Sequence, residues 1–113
     1  MKEPKQTLYE GMYIVDAHVA DEARSRHFEK IKEGIVKKGG EIVKVHDQGR
    51  KRLAYQIGHH REGYYYLIYF RMPSDQVKDL WQEYQLDDKI IRFMTLQTNE
   101  VLEELKFKPL PEQ

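Results

Sequence analysis

Gly63-Tyr64-Tyr65-Tyr66-Leu67-Ile68-Tyr69-Phe70-Arg71-Met72-Pro73 is the stretch on which the fold turns. Residues Tyr64 to Met72 form an almost unbroken run of aromatic and aliphatic side chains, the composition that suits a pleated, buried strand. Pro73 stops the strand. Ser74 is a suitable cap for a following helix. In that helix Val77, Leu80, Trp81 and Tyr84 make one apolar stripe. Asp87 and Asp88 form a turn, and Ile90 to Leu96 reads as a last strand.

Upstream of the quoted stretch, Gly58 to Gly63 reads as a polar hairpin connection, and Arg52 to Ile57 is extended through Leu53, Tyr55 and Ile57. Gly49 interrupts this strand and marks a bulge or bend. Before it, Glu41 to Val45 alternates, with Val43 and Val45 on one face. Gly39 and Gly40 end a helix from Arg24 to Lys38, with Asp21 as its cap and with Phe28, Ile31 and Ile35 at helical spacing. Leu8 to Val15 is the first strand. It is apolar on both faces, with Met12 and Ile14 on one and Tyr13 and Val15 on the other, so it should be central.

The order strand, helix, strand, strand, helix, strand predicts an α+β, ferredoxin-like β-α-β-β-α-β sandwich: a four-stranded antiparallel sheet with two helices on one face. Residues 1–98 form that domain, and residues 99–113, charged and carrying Pro109 and Pro111, read as a flexible tail. Tyr13, Val15, Val43 and Val45 should pack under the helices. Met12, Ile14 and Met94 fall on the opposite face, where an uncovered apolar patch implies a protein partner unless the tail or a loop covers it.

The 113 residues are the size of one domain. No apolar run is long enough to span a membrane, and Met1 to Gln6 lacks the apolar stretch of a secretory signal. Absence of cysteine excludes disulfides and thiolate sites and fits a cytoplasmic protein. Nineteen Lys and Arg balance nineteen Asp and Glu, so nucleic acid cannot be held by bulk charge and any RNA contact needs a local patch. Arg50, Lys51 and Arg52 read equally as such a cluster, since guanidinium forks match phosphate oxygens, or as a solvated surface triplet. Arg92, inside a strand, must reach solvent, a partner or a buried counter-charge. Lys2 and Lys5 are further phosphate candidates. Glu100, Glu103 and Glu104 form an acidic group suited to a basic partner.

The five histidines have no metal-ligand spacing and read as surface residues, and no nucleophile triad, phosphate loop or carboxylate pair supports catalysis. No cofactor, small-molecule substrate or obligate homo-oligomer is expected. A free-standing RNA-recognition module fits poorly: Glu62 stands where that motif wants Lys or Arg, and Tyr65 where it wants Gly or Ala. A small ligand-binding dimer of the same fold would need a convergent polar cluster, and none is visible.

Tyr9-Glu10, Gly39-Gly40, Gly49, Arg52-Leu53-Ala54-Tyr55 with Ile57, Gly63-Tyr64, Met72-Pro73, Leu80, Leu86 and Arg92-Phe93-Met94 together resemble the bacterial small-subunit ribosomal protein S six family. The resemblance spans roughly Tyr9 to Leu96. It implies a ferredoxin-like fold, a structural place on the central domain of small-subunit ribosomal RNA, and joint binding with ribosomal protein S eighteen, which could bring the positive charge this chain lacks. Gly11, where a larger residue is common, and a longer N-terminal arm depart from the family pattern.

Overall fold

The computed structural model of the chain describes residues 6–102. Four strands, β1 (Gln6–Asp16), β2 (Glu41–Ile57), β3 (His60–Pro73) and β4 (Ile90–Gln97), form one antiparallel sheet in the order β2-β3-β1-β4. Helix α1 (Asp21–Lys37) joins β1 to β2. A 3-10 turn (Ser74–Gln76) runs into helix α2 (Val77–Gln85) between β3 and β4. One core cluster contains Ile31 and Ile35 of α1, Val77, Leu80 and Tyr84 of α2, and Tyr9, Tyr13, Val15, Tyr66, Ile68, Phe70, Met72 and Ile90 of the sheet. Both helices therefore cover the same sheet face, as the sequence predicts.

Helix α1 begins one residue earlier than a cap at Asp21 requires. Ala20 occupies the cap position, and Asp21 sits in the first turn, 3.1 Å from Arg24, where a carboxylate favours the positive end of the helix dipole. Ser74 likewise opens the 3-10 turn and makes no capping bond. At the other end of α1, Gly39 takes a φ of 85°, and the Gly40 amide donates to the Ile35 carbonyl. A side chain on Gly40 would collide with Ile35 and with the Arg71 carbonyl, so the glycine pair both ends the helix and lets β2 start against β3.

Alternation alone misplaces Val43. The register of β2 shifts between Ile42 and Lys44, so Ile42 and Val45 pack on the helix-side core while Val43 is exposed. The bulge adds a residue and reverses the facing of the residues beyond it. Gly49 marks a second bulge, with a φ of 80° and its amide bonded to Asp47 Oδ1. The hairpin after β2 is tighter than a Gly58 to Gly63 loop: Ile57 pairs with His60 across Gly58-His59. Trp81 leaves the α2 stripe for the surface, its indole N–H donating to Thr95 Oγ of β4 at 3.0 Å.

Gly11 has a physical reason here. The rings of Tyr13 and Phe70 close over it, and a Cβ would meet them at 2.9–3.0 Å. Tyr13, fully buried, shares a 2.8 Å hydroxyl–hydroxyl hydrogen bond with Tyr84 and meets that ring edge-on at 5.2 Å. The bond ties β1 to α2 and gives each buried phenol oxygen a hydrogen-bond partner. Burial pushes both phenols well above the ordinary tyrosine range, and for Tyr84 the neighbouring Tyr13 adds to the effect. A raised value in the folded state gives a stability contribution intact below about pH 10, the ordinary tyrosine value, and lost as pH rises beyond it. Alkaline titration followed by tyrosinate absorbance should show two phenols that ionise only as the circular dichroism signal collapses, and Tyr13→Phe should remove one of them.

Candidate nucleic-acid interface

On the sheet face away from the helices, strand alternation and register set out three rows. Tyr65, Ile14 and Arg92 lie side by side, then His46, Leu67, Met12 and Met94, then Lys44, Tyr69, Glu10 and Leu96. Exposure rises toward the β4 edge. Tyr65, Leu67 and Tyr69 are at most 2% exposed, Met12 is half-buried, and Met94 and Leu96 are 38% and 49% exposed. Strand β3 is therefore buried on both faces.

Two pieces of chain help cover it. After Gln97 the Thr98 amide bonds back to the Leu8 carbonyl, and His46 Nε2 donates to the Leu102 carbonyl at 2.7 Å. The chain has thus crossed the sheet from the β4 edge to the β2 edge within a few residues. The second cover is the end of β2. Between the Arg52–Glu62 and Ile57–His60 pairs, β2 places four residues opposite the single Arg61. This wide bulge turns Leu53 back onto Ile14 and Tyr65, with Ile57 and Ile91 packed beside them. Gly63 makes the fit possible, because a Cβ there would overlap Ile14 and touch Leu53. Gly63→Ala should lower stability by about 1–3 kcal/mol through overpacking, read as a lower urea midpoint. An unchanged midpoint would mean that Ile14 and Leu53 have room to move aside.

The sequence-predicted basic residues do not form one patch. Arg50 pairs with Tyr64 in the ladder and points to the helix side, where its Nε donates to Glu62 Oε1 at 2.5 Å. Arg52 is exposed opposite Glu62. Lys51 points to the other face, its ammonium 5.5 Å from the Tyr65 ring centroid. Period-two alternation makes this split unavoidable for three consecutive strand residues. Arg92 shares the face of Lys51 and places its guanidinium carbon 5.9 Å from the centroid of Tyr55. The Arg50–Glu62 pair is about half exposed on both sides, so it holds the arginine only weakly against a phosphate.

Among the partner-facing candidates, Met12 and Met94 are directly opposite one another in the ladder and accessible. Ile14 is 5% exposed beneath Leu53 and belongs to the interior. Glu100 is exposed. Lys2, Lys5, Glu103 and Glu104 lie outside the described residues.

Sequence reasoning missed three residues. Tyr55 is half exposed beside Arg92; the spacing of Leu53, Tyr55 and Ile57 carried the signal that the three share a face. His27, read as a surface residue, is 6% exposed and 2.6 Å from Asp87, linking α1 to the turn before β4. Its place on the apolar stripe, one residue before Phe28 and four before Ile31, was the available clue. His46 is the anchor for Leu102, which no local pattern reveals. Among the described residues no group of three His, Asp or Glu side chains is placed to hold a metal ion, and no helix is long and apolar enough to cross a membrane.

The sheet thus carries helices on one face and, on the other, an apolar strip at Met12, Met94 and Leu96 with Lys51 and Arg92 beside it. A family model described as Ribosomal protein S6 matches residues 8–97. The small ribosomal subunit protein bS6 of Protochlamydia amoebophila (strain UWE25) is 55% identical over 113 residues, covering 100% of this chain and 99% of that relative. The protein of the same name from Chlamydia felis (strain Fe/C-56) is 51% identical over 112 residues, covering 99% of this chain and 100% of the relative. A crystal structure of 30S ribosomal protein S6 from Thermotoga maritima matches with a TM-score of 0.79 at 34% identity, over 83% of this chain and 89% of that one. The chain belongs to the ribosomal protein S6 family, whose members are structural rather than enzymatic.

Proposed function

We propose that this chain is a structural constituent of the small ribosomal subunit, in the cytoplasm, and that it binds the central domain of small-subunit ribosomal RNA together with ribosomal protein S eighteen. The observation that carries the RNA contact is the set of exposed cations around the β2–β3 arm: Arg50 and Arg52 on one face, Lys51 and Arg92 on the other. An arm with cations on both faces suits a groove or a junction of two RNA segments, where phosphates approach from more than one side. Lys2 and Lys5 would add contacts from the N-terminal arm. Neutral net charge keeps the remaining surface from binding RNA indiscriminately.

The double variant Arg50→Ala with Arg52→Ala should fold normally, because both side chains are exposed, and should enter small subunits poorly. Its affinity for the RNA should also fall less steeply with salt, by about one unit of log–log slope per lost phosphate contact. Normal incorporation in a sedimentation assay rejects this placement of the site.

The protein partner has a surface to match. Met12, Met94 and Leu96 form an apolar strip along β1 and β4, and Glu100 lies just beyond it, followed in sequence by Glu103 and Glu104. Such a combination fits a basic protein with an apolar anchor. Removing residues 99–113 should weaken pairing with ribosomal protein S eighteen, measured by calorimetry. Equal affinity of the truncated chain rules out a role for the acidic segment.

A further inference from the structure

Tyr55 stands out on the arm. Leu53 and Ile57, two residues to either side, pack against Ile14, Tyr65 and Ile91, whereas Tyr55 is 50% exposed. A large ring left in solvent between two packed neighbours has a surface to offer. Its one described ring contact is the cation of Arg92, 5.9 Å from its centroid, and Lys51 projects from the same sheet face. The carboxylate nearest in sequence, Glu62, is taken up by Arg50 on the opposite face. The exposed ring therefore lies beside one cation, Arg92, with a second, Lys51, on the same sheet face.

From this arrangement we infer that Tyr55 is a stacking platform for one unpaired base of the bound RNA, with Arg92 and Lys51 holding the adjoining phosphates. The inference rests on the RNA-binding reading above and names the class of nucleotide that this part of the arm recognises. An aromatic ring accepts the π-face of any base, and a neighbouring guanidinium strengthens the stack while meeting the backbone charge. Paired RNA hides its base faces within the helix, so a single exposed tyrosine selects a bulged, looped or terminal nucleotide. The surroundings favour RNA over an apolar protein segment as the occupant. Burying Tyr55 against apolar side chains would strip water from Arg92 and give it no counter-charge, whereas a nucleotide brings a base for the ring and a phosphate for the cation.

The test uses the full-length chain, ribosomal protein S eighteen and a transcript of the central domain of small-subunit ribosomal RNA. Tyr55→Ala should reduce affinity for the transcript roughly 5- to 150-fold, the range for loss of one stacked base. Tyr55→Phe should stay within about twofold, since the stack needs the ring and not the hydroxyl. The salt dependence of Tyr55→Ala should match that of the unaltered chain, because a tyrosine displaces no counterion, whereas Arg92→Ala should flatten it. Unchanged RNA affinity in Tyr55→Ala, beside a clear loss in the Arg50 and Arg52 double variant, overturns the stacking role and leaves the RNA reading standing. Weakened pairing with the protein partner in the absence of RNA also overturns it, in favour of a protein contact. Failure of the unaltered chain to bind the transcript at all removes both.

Discussion

Strand β3 has apolar side chains along both of its faces, and the rest of the structure answers that constraint. Tyr66, Ile68, Phe70 and Met72 are sealed by the two helices, while Tyr65, Leu67 and Tyr69 face the other way and are equally dry. In a sheet with helices on one side only, that second set needs a cover from elsewhere. Leaving three large side chains in water would forfeit about 1.5–3 kcal/mol each. The bulged end of β2 and the segment that reaches Leu102 meet part of the need.

The same solution shapes the proposed interface. A strand that folds its tip back over the sheet carries its charged neighbours with it. Leu53 is the anchor, Gly63 is the clearance, and Arg52, Tyr55 and the nearby Arg92 are what the arm presents. Packing and the proposed RNA contact are joined through one wide bulge: the residues that seal the core also fix where the cations sit. The arm is then a positioned surface rather than a loose loop, which lowers the ordering cost that a docking partner must overcome.

The helix side is held together differently. There, aromatic contacts do most of the joining: Tyr13 with Tyr84, Tyr84 with Phe93 at 5.3 Å, and Phe28 stacked on Tyr66 at 3.9 Å. Such pairs add directional contact beyond area burial. The hydrogen bond between the hydroxyls of Tyr13 and Tyr84 gives each of these two core phenol oxygens a partner. Gly11 belongs to this layer, its missing side chain being the space that Tyr13 and Phe70 occupy.

The sequence by itself determined the element order, the faces of β1, the helix that ends at Gly39-Gly40 and the bulge or bend at Gly49, because each depends on local periodicity or on backbone freedom at one residue; which face of β3 meets the helices was not among these. It also isolated the basic segment and Arg92. Only the tertiary structure decided that Val43 turns outward, that Arg50, Lys51 and Arg52 split between two faces, that Ile14 is interior, and that Tyr55 meets Arg92. Bulges shift register by amounts that local pattern does not carry, and contacts between β2 and β4, the two edges of the sheet, exist only once β1 and β3 have assembled between them.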